Sequence, residues 1–169
     1  MRNLHAALGY WLAAAGVVLA VGCSSGDSTA HQAVKTPKKV SAASIESIMI
    51  ERFGHGPQTP WYKVTLRRDG SVSYVGSYNV ARIGNYQAKV EAEEFRRLAE
   101  LVERSGFFSL EDSYPSGIDA PEVDISITAG GQTKTIRDGW GSPTPVELWG
   151  LEMAIDGVVA SLNDWKKSE

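Results

Sequence analysis

Two tight-turn dipeptides, each set between runs of alternating apolar and polar residues, constrain the fold of this chain more than any other feature. From Trp61 to Arg67, Tyr62, Val64 and Leu66 fall on one side and Lys63, Thr65 and Arg67 on the other. Asp69-Gly70 follows, and then Val72-Ser73-Tyr74-Val75. A period of two marks a half-buried strand, and glycine accepts the positive φ that a tight hairpin turn needs. Farther along, Val123, Ile125 and Ile127 alternate with Asp124, Ser126 and Thr128, and Gly130-Gly131 leads into Gln132 to Arg137. Ser44 to Phe53, with Ile48 and Ile50 on one side, and Tyr86 to Val90 supply two further strands. Such alternation suits an antiparallel sheet with one dry and one wet face.

Two segments carry helical spacing instead. Phe95, Leu98, Ala99 and Val102 share one face of a helix starting at Glu91 or Ala92 and ending at Ser105, where Gly106 stops it. In the second, Leu148, Leu151, Ile155, Val158 and Leu162 form an apolar stripe, preceded by a Thr144-Pro145-Val146-Glu147 capping box with proline at the first helical position. Trp149 and Trp165, read as lying on this helix, are expected in the core or at its edge. The order β-β-β-β-α-β-β-α predicts an α+β, two-layer fold. It has an antiparallel sheet of about six strands and two helices packed on one face.

The amino terminus has a different character. A short basic start at Met1-Arg2 precedes an uncharged apolar run from Ala6 to Val21, which ends at Gly22-Cys23-Ser24-Ser25. That order is the layout of a secretory signal. Leu19-Ala20-Val21-Gly22-Cys23 resembles the bacterial lipobox, with Ala20 at a position more often occupied by Leu. The resemblance implies cleavage before Cys23 and acylation of that residue. It also implies anchoring to a membrane by several acyl chains, each buried CH₂ contributing about 0.8 kcal/mol. Ser24, by resemblance to the lipoprotein sorting pattern, implies export to the outer membrane, facing the periplasm, if the host is Gram-negative. The expected organisation is a signal peptide over 1–22, a lipidated cysteine and flexible tether over 23–43, a single domain over 44–165 and a polar tail over 166–169. The tether lacks aromatics, and its reach is roughly 25 Å.

The stretch Arg52-Phe53-Gly54-His55-Gly56-Pro57, then Trp61 to Leu66, Asp69-Gly70 and Tyr74-Val75-Gly76 resembles a bacterial domain-of-unknown-function family, the one numbered 6438. Gly84-Asn85-Tyr86, Gly106-Phe107-Phe108, Tyr114, Asp119, Pro121 and Ile155-Asp156 extend the likeness over about residues 45 to 163. Many members carry two cysteines in the first loop, where this chain has His55-Gly56-Pro57-Gln58-Thr59-Pro60. A role that depends on those cysteines is absent here. The resemblance implies the fold and transfers no activity.

Function is constrained mainly by what is missing. Cys23 is the single cysteine, so an internal disulfide is excluded, and its expected acylation leaves no thiol for Cys-based catalysis. Beyond the signal only His31 and His55 remain, without metal-ligand spacing, and no cofactor or metal is expected. Asp119, Glu122 and Asp124 form a small acidic cluster without the spacing of a calcium loop. A formal net charge of −3 without a basic stripe makes nucleic acid a poor partner. No nucleophile elbow, phosphate loop or dinucleotide fingerprint is present. What remains is a set of loop and strand-end residues suited to recognition, Trp61, Tyr62, Tyr114, Asp119, Arg137 and Trp140. The expectation is a non-enzymatic, lipid-anchored envelope module that binds a protein or wall polymer. The alternative is a weak envelope hydrolase using loop residues near Asp119 and Trp140, with His55 and Asp119 as a conceivable acid–base pair.

Overall fold

A computed structural model describes residues 40–54 and 56–168. The expected signal segment, Cys23, the tether as far as residue 39, and His55 lie outside the described residues. The elements run β1 (Ile45–Phe53), β2 (Trp61–Arg67), β3 (Ser71–Tyr78), β4 (Gly84–Lys89), α1 (Ala92–Arg104), β5 (Ser113–Tyr114), β6 (Glu122–Ala129), β7 (Gln132–Gly139), α2 (Val146–Ser161) and β8 (Lys166–Lys167). They form one eight-stranded sheet in the order β5-β7-β6-β1-β2-β3-β4-β8. Every pairing is antiparallel except β5 with β7. The fold is α+β, as the alternation predicts. The six long strands are those of the sequence reading, and the two extra ones are two-residue edges too short to show a period.

Both expected turns form. Gly70 has φ +82°, and Asp69 Oδ1 accepts from the Ser71 amide (2.9 Å) and hydroxyl (2.6 Å). Gly130 and Gly131 both have positive φ, and Ala129 pairs directly with Gln132. That is the primed two-residue turn whose twist matches the strands it joins.

β1 is the centre of the sheet, flanked by β2 and β6. A register shift between Ile45 and Ser47 inserts Glu46 as a bulge. The bulge changes the parity, so Ile45 joins Ile48 and Ile50 on the buried face. Glu46 Oε1 accepts from the Gly131 amide at 3.0 Å, and Arg68 donates to the Ile45 carbonyl, which pins this corner.

The dry face of the sheet includes Val64, Leu66, Val72, Tyr74, Ile125, Ile127 and Ile136. Phe95, Leu98, Ala99 and Val102 of α1 and Leu148, Leu151 and Ile155 of α2 belong to the same cluster. Two helices thus cover one face, and Lys63, Thr65, Arg67, Ser126 and Thr135 populate the other. Gly106 ends α1 with φ +63°.

Four details differ from expectation. The folded part begins before residue 44, because Val40 and Ala42 pack on the core and the Ala42 amide donates to Glu103 (2.8 Å). Lys166 and Lys167 are not a free tail, since they pair with Gln87 and Tyr86 of β4. Pro145 is the N-cap of α2, in extended conformation, and no side chain caps the helix, because the Thr144 hydroxyl binds Asp138 instead. Trp149 is 56% exposed rather than core, and Trp165, at the core edge as expected, lies past the end of α2, where its half-buried ring meets Tyr74 edge-on. Among the described residues, no helix is long and apolar enough to cross a membrane.

Gly76, the last β3 residue paired with β4 and next to the register shift with β2, is a place where only glycine fits. A Cβ there would collide with the Arg82 carbonyl and crowd Val80 and the Tyr74 ring. Backbone must move to admit it, so Gly76→Ala is expected to destabilise the domain by about 1–3 kcal/mol. The measurement is a lower urea midpoint at an unchanged denaturant slope.

Candidate functional site

The antiparallel register aligns one row of residues across four strands. Tyr62 of β2 faces Arg52 of β1, Arg52 faces Val123 of β6, and Val123 faces Asp138 of β7. By parity all four continue the dry face, Arg52 after Ile48 and Ile50, and Asp138 after Ile136. The row lies at the sheet end where apolar residues give way to charge. α2 crosses it and contributes Trp149, Glu152, Met153 and Asp156. The result is an open cleft of about 1030 Å³, closed at the sides by the loop before β2 and the β7–α2 loop.

Its floor is held by charge. Arg52 donates from Nε (3.0 Å) and Nη2 (2.6 Å) to Asp156 Oδ2, and Tyr62 donates to Asp156 Oδ1 (2.7 Å). Arg52 Nη2 reaches Glu152 Oε2 only at 3.5 Å. Burial raises the Tyr62 phenol, and the Asp156 charge raises it further, so it stays a donor. Asp138 is buried and accepts at Oδ1 from Ser142 (2.7 Å) and from Thr144. The Trp140 amide donates to the Pro121 carbonyl (2.8 Å), and that of Ser142 to Gly139 (3.0 Å). A Cβ on Gly139 would overlap Ser116, so the chain passes closely there. These bonds fix the 139–144 loop and present the Trp140 side chain, 78% exposed, at the rim.

Glu152 is the unusual member. Its side chain is 4% exposed, and Oε1 is buried without a hydrogen-bond donor among the described residues. Burial pushes its carboxyl up to about 7, Arg52 opposes this, and the nearby Asp138 and Asp156 add to the rise. In its neutral form Glu152 becomes a donor beside Asp138.

Of the residues singled out from sequence, Tyr62 and Trp140 line this cleft and the others do not. Trp61 is half-exposed on the opposite parity of β2. Tyr114 sits on the edge strand β5, its hydroxyl accepting from the Glu111 amide (3.2 Å). Asp119 is exposed, at φ +61°, in the connection before β6. Arg137 lies on the outer face, bound to Asp124 (2.8 and 2.9 Å) and stacked over Phe53 at 5.4 Å. Of the acidic cluster only Asp119 stands apart, since Glu122 and Asp124 both lie within reach of Arg137 (3.8 and 2.8 Å) and Glu122 also borders the cleft. Among the described residues, no group of acidic, histidine or cysteine side chains is arranged to hold a metal. Sequence reading missed Arg52, Asp138, Glu152 and Asp156. The available signal was a charge at an inward strand position or on the apolar stripe of α2.

The described residues form a two-layer α+β domain with a charged, aromatic-rimmed cleft at one end of its sheet. Residues 48–159 match the model of the family described as Domain of unknown function (DUF6438), and the chain belongs to that family. No curated protein matches the sequence.

The raised Glu152 carboxyl makes stability depend on pH. Between about 4.5 and 7 the folded protein holds a proton that the unfolded chain has released. Stability from this group therefore falls as pH rises through that window. Glu152→Gln is expected to remove this part of the fall and to be more stable than the parent at pH 8, by on the order of 2 kcal/mol. Thermal unfolding of both proteins from pH 5 to pH 8 checks it.

Proposed function

We propose that the chain is an exported, lipid-anchored envelope protein whose domain is a binding or adaptor module. Its cleft holds part of an envelope protein or wall polymer, and the lipid on Cys23 supplies the membrane contact. The observation that carries the reading is Trp140, an exposed indole on a pinned loop at the rim of a cleft with a preset charged floor. Rigid exposed aromatics beside ordered polar groups are the usual anchors of recognition. Binding is favoured over catalysis because the floor groups are committed to one another, Arg52 and Tyr62 to Asp156, and Asp138 to Ser142 and Thr144. The anchor is supported by the Ala6–Val21 run and the lipobox-like Leu19 to Cys23.

One observation supports a second reading, an envelope hydrolase that uses the cleft acid Glu152 in place of Asp119. A carboxyl at about 7, such as that of Glu152, has the acidity wanted of a general acid near neutrality. Turnover of an envelope substrate by the purified chain, lost in Glu152→Gln, would favour it.

For the binding reading, Trp140→Ala is expected to reduce partner recovery from the native envelope at least about tenfold, as hot-spot aromatics do. Trp61→Ala, outside the cleft, should leave recovery unchanged. Equal recovery by all three proteins would overturn the assignment of the cleft. Cys23→Ser is expected to abolish the acyl mass increment and move the protein out of the membrane fraction. Mass spectrometry and fractionation read both effects.

A further inference from the structure

The charge of the cleft is unbalanced. Among the described residues that line it, Arg52 is the one cation, set against Glu122, Asp138, Glu152 and Asp156. Arg52 directs two donors to Asp156 and only grazes Glu152. Glu122 has Arg137 at 3.8 Å. Asp138 has hydroxyl donors and, among the described residues, no ion-pair partner. Glu152 is poorer still, because its buried Oε1 has no donor among the described residues. A buried carboxylate oxygen without a partner is costly, and a cation placed nearby offsets that cost. Above this floor stand the exposed indoles of Trp140 and Trp149, whose π faces attract positive charge. Met153, also exposed, adds apolar surface beside them for a carbon chain.

We propose that the cleft is a receptor for a positively charged group on a carbon skeleton, an alkylammonium or guanidinium, held by the Asp138 and Glu152 carboxylates of the floor beneath the rim formed by Trp140 and Trp149. The proposal rests on the reading of the cleft as a binding site and adds the chemistry of its occupant. A lysine or arginine side chain and the free amine of an amino sugar share that chemistry. Arrival of a cation favours the ionised form of Glu152, so the ligand and a proton compete. Glu152 is faced by Arg52 from β1, Asp138 from β7 and Asp156 from its own helix, with Tyr62 of β2 and Glu122 of β6 in the same cleft. Affinity for the cation is therefore expected to rise between pH 6 and pH 8.

The test is titration of the full chain in non-ionic detergent, read by tryptophan fluorescence. The charged probes are Nα-acetyl-lysine methylamide, Nα-acetyl-arginine methylamide and glucosamine. Their neutral counterparts are Nα-acetyl-norleucine methylamide and N-acetylglucosamine. At least one charged probe is expected to bind about tenfold tighter than its counterpart, with the preference weakened by salt. Whether the amino-acid probes or glucosamine show it identifies the source of the cation. For the lysine and arginine probes, which stay charged across this window, the rise in affinity with pH should vanish in Glu152→Gln, and a rise that persists would overturn the part given to Glu152. Neutral probes binding as tightly as charged ones, or no charged probe binding at millimolar concentration, would overturn the proposal. The comparison of probes uses the unaltered chain and stands whether or not the variant folds. If Trp140→Ala loses the envelope partner while the cations fail, the cleft remains a binding site and only the cationic occupant falls.

Discussion

A single guanidinium joins the two layers at the end of the sheet. Arg52 extends from the central strand and takes hold of Asp156, which lies 104 residues later on α2. Tyr62 reaches the same carboxylate from the neighbouring strand. Three elements therefore converge on one acidic side chain, and the crossing of α2 over the sheet is fixed there by direction-specific bonds. Apolar packing of Leu148, Leu151 and Ile155 alone would tolerate sliding, because it is non-directional. A partly buried ion pair contributes little net stability, since desolvation offsets most of the attraction. Its role here is placement. With Asp156 held, Glu152 one helical turn earlier is carried under cover, and the cleft acquires its unusual acid.

The same convergence explains why the fold was legible in the sequence and the site was not. A strand announces itself through neighbours two apart, and a hairpin through a Gly-containing pair, so β2, β3, β6 and β7 could be read locally. The cleft is assembled from positions 52, 62, 138, 152 and 156, which only the sheet register brings together. Tyr62 and Trp140 were identified because aromatics near strand ends are conspicuous. Arg52 and Asp138 are less so, each being a charge at the last inward position of an apolar alternation. Glu152 sits among the apolar positions of α2, four residues after Leu148, where a hydrophobic reading passes over it. Thr144 shows the converse, a good local capping signal overridden when Asp138 offered its hydroxyl a stronger acceptor. Trp149 was misjudged because α2 is apolar on more than one side, and periodicity cannot say which side meets the sheet.

The motif residues that carry the family likeness divide along the same line. Gly70, Gly76, Gly84 and Gly106 serve backbone geometry, three through positive φ and Gly76 through close approach. Tyr62 and Asp156 are hydrogen-bonded to each other on the cleft floor. Part of the pattern thus describes the scaffold and part describes the place where the scaffold is polar inside.

The two-residue strands β5 and β8 have a consequence for crowding. An open sheet normally ends in a row of unsatisfied amides and carbonyls that can template another chain. Here Ser113–Tyr114 cover β7 at Arg137 and Asp138 on one flank, and Lys166–Lys167 cover β4 at Tyr86 and Gln87 on the other. The final strand on either side is too short to register a neighbour, and one of the two carries paired positive charges. Each edge is thus interrupted near one place, and copies that collide edge to edge meet no unbroken row of free amides and carbonyls.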